Sequence, residues 1–246
     1  MKETYENGKE KVVEYYSNCN DSTTFERQTF YENGQVSSES YVVEGVWKGN
    51  FKSWAENGNL TAAWEVLDGK ENGFIQCWYD NGVKKREVTL DKGVENGYFK
   101  QWNEKGRLEQ EGNYLTGKKT GAWYYYDDAG GWNVRNYENG TLQGETFEYI
   151  VDSTSIKLVV GQYENGKEVG LWKWFDKDSV LYQTAMMSDG KYTGEYIKYY
   201  ENGNVKLKSN LVDSKYEGEV FYFDASGEIT KTVIYANGKL QPTRKK

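Results

Sequence analysis

Apolar residues in this chain come in short runs broken by turn residues, and no run is long enough for a helix. The stretch from Gly73 shows the unit: Gly-Phe-Ile-Gln-Cys-Trp-Tyr79, then Asp80-Asn81-Gly82, then Val83 to Leu90, then Asp91-Lys92-Gly93. Two aromatic or β-branched runs on either side of Asn-Gly predict a β-hairpin with a type I′ turn, in which Asn81 and Gly82 both take positive φ. Gly93 then returns the chain for the next hairpin. Each unit is expected to supply two antiparallel strands of about 6–8 residues.

Glycine spacing turns this unit into a repeat. Gly49, Gly73, Gly97, Gly121, Gly144, Gly170, Gly194 and Gly218 are separated by 24, 24, 24, 23, 26, 24 and 24 residues. A second series, from Gly45 through Gly69 and Gly93 to Gly190, runs four residues ahead of the first. A third, from Gly34 through Gly58 and Gly82 to Gly227, keeps the spacing, with Asp152 to Ser155 and Asp178-Ser179 standing in along the way. Three series in register predict an all-β fold, an elongated single-layer antiparallel meander of about eight 24-residue hairpins. The array is expected over residues 31–238. Residues 1–30 read as an irregular first repeat with a polar insertion at Ser17 to Thr24, and residues 239–246 as a disordered basic tail. The chain opens inside a unit, because Tyr5-Glu-Asn-Gly-Lys9 matches Tyr163-Glu-Asn-Gly-Lys167. That start reads either as natural or as the loss of a leading secretion segment, and the compartment, bacterial cytoplasm or cell envelope and periplasm, turns on the choice.

Columns within the unit locate the ladders. Two residues after the first glycine series stand Phe51, Ile75, Phe99, Trp123, Thr146, Trp172, Tyr196 and Val220; five after it stand Trp54, Trp78, Trp102, Tyr126, Tyr149, Phe175, Tyr199 and Phe223. A separation of three puts the columns on opposite faces of a regular strand, unless a bulge folds them into one core. Both arrangements satisfy the sequence. Between the columns Lys52, Gln76, Lys100 and Lys173 are polar and expected to be wet.

Composition removes most chemistry. The chain has no His, which excludes imidazole bases, Ser-His-Asp and Cys-His nucleophiles and most transition-metal sites. Cys19 and Cys77 are too few and too far apart for a zinc site or a disulfide scaffold, and Cys77 reads as a small half-buried strand residue. Asp127 with Asp128 and Asp176 with Asp178 are carboxylate pairs on turns, where solvation is the rule and catalysis the exception. Every glycine follows the repeat, so no phosphate cradle is expected, and with it no cofactor, metal or catalytic residue. Aromatic residues make up 16% of the chain and carry its core. The 38 acidic against 31 basic residues argue against nucleic acid and anionic lipid as ligands and favour a basic protein partner. No apolar stretch approaches the roughly 18 residues of a membrane helix.

The pattern Gly-x-Trp-x-x-Trp/Tyr-x-x-Asn-Gly, followed by an apolar position and Tyr-x-x-Gly-x-x-x-Gly, resembles MORN repeats in the variant form of bacterial YwqK-family antitoxin-like proteins. Gly121-Ala-Trp-Tyr-Tyr-Tyr126, Gly170-Leu-Trp-Lys-Trp-Phe175 and Gly194-Glu-Tyr-Ile-Lys-Tyr-Tyr-Glu-Asn-Gly203 carry the likeness, which spans about Tyr31 to Gly238. It implies a non-catalytic binding protein, an antitoxin or immunity protein that neutralises a basic toxin or effector. The alternative is a scaffold of the cell envelope or cytoplasm, monomeric or weakly self-associating through its end strands. A single sheet cannot hide both faces, so part of the aromatic set is expected to serve a partner. The candidates are Trp47, Trp54, Trp64, Trp78, Trp102, Tyr126, Trp132, Tyr149, Phe175 and Tyr199, with Trp47, Trp64 and Trp132 foremost because they fall outside the two columns.

Overall fold

The computed structural model describes residues 1–18, 21–152 and 155–242. Cys19 and the middle of the polar insertion, residues 153–154 of the Val151 to Ser155 loop, and the tail from 243 onward lie outside the described residues. Within them the chain is all β with no helix, in two compact units, Met1–Thr120 and Gly121–Lys246. The first unit holds β1 (Lys2–Thr4), β2 (Glu10–Asn18), β3 (Asp21–Phe30), β4 (Val36–Val43), β5 (Val46–Trp47), β6 (Gly49–Trp54), β7 (Leu60–Leu67), β8 (Lys70–Trp78), β9 (Lys84–Asp91), β10 (Val94–Trp102) and β11 (Leu108–Leu115). β12 (Lys118–Tyr126) runs across the point of division. The second unit continues with β13 (Trp132–Glu138), β14 (Thr141–Val151), β15 (Ile156–Glu164), β16 (Lys167–Phe175), β17 (Leu181–Ser188), β18 (Lys191–Tyr199), β19 (Val205–Val212), β20 (Lys215–Tyr216), β21 (Gly218–Phe223), β22 (Ile229–Ala236) and β23 (Lys239–Leu240). In each unit, strands adjacent in sequence pair antiparallel, as in β8 with β9 and β16 with β17.

The two loops of the repeat differ from the expected assignment. At Asp80-Asn81-Gly82 only the glycine has positive φ, 83°. The Gly82 N–H donates to the Tyr79 carbonyl (2.8 Å) and the Tyr79 N–H to the Val83 carbonyl (2.8 Å). This is a type I turn closed by a left-handed residue, the three-residue hairpin with a G1 bulge. The type I′ turns sit at the opposite loops, where both central residues are left-handed, as in Glu44-Gly45 (55° and 78°) and Lys92-Gly93 (51° and 86°). The reason lies in the Asn81 amide, which is used twice. Its Oδ1 accepts the Val83 N–H (2.9 Å), and its Nδ2 donates to the Glu104 carbonyl of the next tip (3.1 Å). Where Asp opens the tip, the carboxylate serves its own turn instead: Asp127 Oδ1 accepts the N–H groups of Ala129 and Gly131, both at 2.8 Å.

Both edges are clasped from one repeat to the next. At the Asn-Gly edge, Tyr31 Oη donates to the Trp54 carbonyl (2.8 Å) and Tyr79 Oη to that of Trp102 (2.9 Å). At the type I′ edge, the Gly93 N–H donates to the Glu71 carbonyl (2.7 Å) and the Gly190 N–H to the Glu168 carbonyl (3.1 Å). Reaching that far back requires a bent strand. The bend comes from the first glycine series: opposite β9, pairing jumps from Glu95 with Leu90 to Phe99 with Val88. Gly97 in the skipped stretch has φ of 115°, a conformation a side chain would strain.

Beyond that bulge the strand itself is regular through the fifth position, so the two aromatic columns occupy opposite faces. Ile75, Phe99, Trp123, Thr146, Trp172 and Val220 of the first column are buried, and the second column is half-buried. Lys52 and Lys173 are exposed as expected, whereas Gln76 and Lys100 are half-buried, bonded to Glu87 (3.1 Å) and Glu111 (3.0 Å). Large and small residues alternate across the buried row: Trp172 pairs with Ala185, Ala185 with Tyr196, and Tyr196 with Ser209. On its other side the Trp172 indole lies over Gly161, where an added Cβ would run into the ring carbons. Around it seven rings follow in contact, Tyr163, Trp172, Trp174, Tyr192, Tyr196, Tyr216 and Tyr235, with centroids 5.3–6.4 Å apart. Such contacts add to area burial by about 0.5–1.5 kcal/mol per pair.

Two outcomes are expected. Gly161→Ala should destabilise the protein by about 1–3 kcal/mol in urea unfolding, an overpacking effect. Its effect should be smaller in a Trp172→Leu background, since the two sites share one volume. Burial pushes the Tyr163 phenol up to about 12, with Glu168 and Glu148 adding to the shift. An unfolded tyrosine titrates near ~10, so the stability tied to neutral Tyr163 is complete below that pH and lost as pH climbs through 12. Unfolding measured between pH 9 and 12 should show a shallower alkaline loss in Tyr163→Phe.

Candidate functional site

The largest hollow, about 530 Å³, lies in the first unit, on the face that buries Phe99. Its floor is Ile75, Val88 and Leu90, side by side because Ile75 pairs with Val88 and Gly73 with Leu90. Gly73 supplies no side chain, so Leu90 lies open toward the cavity. The wall is the bent type I′ edge, Gly93-Val94-Glu95, held over the floor by the Gly93 and Gly117 N–H bonds to Glu71 and Glu95 carbonyls (2.7 and 2.8 Å). Trp64 closes one side, stacked on Phe51 at 4.0 Å, and Val94 on the rim is 47% exposed.

Charge in the hollow comes from three groups, Glu71, Arg86 and Glu95. The Arg86 guanidinium is ion-paired to Glu95 and stands 5.1 Å over the Phe99 ring, a cation-π contact in a partly dry setting. Its Nε is buried without a hydrogen-bond partner. Cys77 pairs with Arg86 across the strands and also lines the space. Burial pushes its thiol up, opposed by Arg86 and Lys85 and reinforced by Glu71. A thiol held protonated packs as a small apolar group.

A second hollow of about 300 Å³ lies in the second unit beside the Asp127 tip. Tyr125, Asn133, Arg135 and Glu148 line it, with the Arg135 guanidinium 5.7 Å over the Tyr125 ring and 3.6 Å from Glu148. Asn133 Oδ1 and Arg135 Nε are buried there without partners. Gly131 is required at its border, because a Cβ would meet the Asp127 carboxylate and the Tyr149 carbonyl.

The aromatic candidates divide by position. Trp47 and Trp132 are 41% and 38% exposed, while Trp64 is half-buried at the first hollow. Trp132 pairs with Tyr126 on one side and Tyr149 on the other, stacked on the latter at 5.9 Å, so these three form one row bordering the second hollow. Trp54, Trp78, Trp102, Phe175 and Tyr199 close strands next to the tips and are half-buried. The Trp54 and Trp102 carbonyls accept tyrosine hydroxyls from the preceding tip, and Lys84 stands 5.7 Å over the Trp102 ring. Arg86, Glu71, Val94 and Glu95 escaped the sequence reading. Their signal was the single Arg in a strand row where the matching places hold Ala62 and Gln110.

With this geometry in view, the comparisons can be placed. A family model described as the MORN repeat variant matches residues 26–43 and 192–213. The chain carries MORN repeats. The matched segments take in most of β3 with β4, and β18 with β19, so each spans a hairpin or its larger part. No curated protein matches the sequence. Among solved structures, a chain of "Crystal Structure of TcdB2-TccC3-Cdc42" is similar at 12% identity and a TM-score of 0.20, over 85% of this chain and 13% of that one. The protein thus spans about an eighth of that chain's length. Among the described residues no group of three or more Cys, Asp or Glu is placed to hold a metal.

Cys77 reports on the hollow's electrostatics. In a Cys19→Ser background its alkylation by iodoacetamide should show a pH midpoint above the ~8.5 of an exposed thiol. Arg86→Met should move that midpoint further up, and Glu71→Gln should move it down.

Proposed function

We propose that this protein is a non-catalytic protein-binding module, and that the partner it holds is a basic toxin or effector which it neutralises as an antitoxin or immunity protein. The observation that carries the binding reading is the first hollow: an apolar floor of Ile75, Val88 and Leu90, open to solvent beneath an exposed Val94 and edged by Glu71 and Glu95. Such a concavity suits an anchoring side chain from a partner, with carboxylates at its edge to orient a basic neighbour. A net charge of −7 speeds encounter with a cationic protein, while the buried anchor sets how long it stays. The MORN-type repeats agree with a binding role, and the resemblance to YwqK-type proteins supports neutralisation as its purpose.

The test is co-expression with the flanking genes, followed by tagged recovery and mass spectrometry. One neighbouring protein, basic and toxic alone, should be recovered at near-equal stoichiometry. Val94→Glu and Trp64→Ala should each weaken the purified complex by about 10-fold or more, the effect of losing an anchor contact. Affinity unchanged by both variants would reject the hollow as the anchor. Recovery of no such neighbour would reject the neutralising role.

A further inference from the structure

The structure assigns a second binding surface, independent of the hollow: the outer edge of β22, which we infer accepts an extended acidic-aromatic strand from a partner protein. Among the described residues β22 pairs with β21 along its length, and on its other side only Tyr235 and Ala236 are covered, by β23. Residues 229–233 therefore present an open strand edge. Ile229 and Ile234 are 57% and 51% exposed, and the one charge between them is Lys231. Natural sheet edges are blunted by charge, brevity or proline, and this one is long, apolar and singly charged, the form that takes up an added strand.

The reason the chain does not cover this edge itself is visible at Pro242. In the repeat, the residue after the type I′ corner donates its N–H back across the hairpin, and a left-handed glycine follows. Lys48 donates to Tyr41 before Gly49 (φ 82°), and Glu217 to Asn210 before Gly218 (φ 79°). Gln241 donates to Ile234 in the same way at 2.8 Å, but the next residue is Pro242, the chain's single proline. The proline ring fixes φ near −65°, so the bulge cannot form and the strand that would lie along β22 is not laid down. β23 is the start of a first strand whose remainder is absent from its place.

The filled junctions define what fits there. Where β10 covers β9, Phe99 faces Val88, Lys100 faces Glu87 and Gln101 faces Arg86. By the same register the vacant places face Val233, Thr232 and Lys231. The first calls for a large apolar residue and the third for a carboxylate, because Lys231 projects beside the Tyr222 ring (5.7 Å) and has no acid in its row. The occupant is thus a strand reading aromatic-x-acid, donated edge-on.

The probe is a fluorescein-labelled peptide, Gly-Asn-Phe-Thr-Glu-Trp-amide, titrated into the intact chain by anisotropy, with amide hydrogen exchange read at residues 229–233. Saturable binding with new protection there is expected. Replacing the peptide's Glu by Lys should weaken it by about 5-fold, the scale of a cross-strand charge contrast. Lys231→Glu in the protein, an exposed site that leaves packing alone, should invert the preference. Absence of saturation, equal binding of both peptides, or a preference that Lys231→Glu does not invert would overturn the inference. Concentration-dependent oligomers in sedimentation that dissolve in Lys231→Glu would give the edge to a second copy of the chain and overturn a foreign strand. The hollow variant Val94→Glu should leave peptide binding unchanged, so this outcome and that of the neutralising role are read separately.

Discussion

A backbone bond from one turn to the next repeat is the constraint from which the rest of this structure follows. Two strands and two loops make a hairpin, and an isolated hairpin is marginal in water. Here the loops are joined as well as the strands. The glycine N–H of each type I′ corner reaches a carbonyl of the previous repeat, and tyrosine and asparagine side chains at the opposite tips reach a carbonyl of the following one. These bonds demand a fixed residue count between turns, which is why three glycine series stay in register. They also demand a strand that bends at a set place, which is why one series falls within strands rather than in loops.

That bend makes a thin protein stable. A flat sheet would leave both aromatic columns wet, yet Trp123 and Ala185 reach 0% exposure. Folding the type I′ edge over one face gives that face a roof, and the rings beneath it interlock with glycine, alanine and serine across the row. The same roof leaves gaps where the edge carries small or short residues. The first hollow is such a gap, roofed by Gly93 and Gly117 and floored by aliphatic side chains. Binding surface and core are products of one distortion.

The architecture was legible from glycine spacing because each series marks a backbone need that other residues meet poorly. Loop type was not. Asn-Gly is the strongest short signal for a type I′ turn, and here the asparagine amide bonds forward along the array, a long-range partner invisible within one hairpin. The corners that are type I′ carry Glu, Lys, Asp or Thr before glycine, residues whose local preference gives no warning. Exposure of Trp47 and Trp132 agrees with their place outside both columns, since a residue free of the ladder has no fixed neighbour to cover it. The hollow lay beyond sequence reading because it is made by what glycines omit. Its charged members look like any solvated pair until the bend brings Glu95 over Arg86.

The alternation of large and small residues along the buried row sets a limit on how this array could change by recombination. Its hairpins look interchangeable, since turn bonds and period recur almost unaltered. They are not. A duplication that placed a copy of β17 where β15 stands would bring the Ala185 methyl group under the Trp172 indole, where Gly161 leaves no room for it. Each ring is sized to the strand beside it, so a hairpin carries the imprint of its neighbours. Whole repeats could be inherited together, but single ones could not be shuffled without a matching change about a repeat's length away.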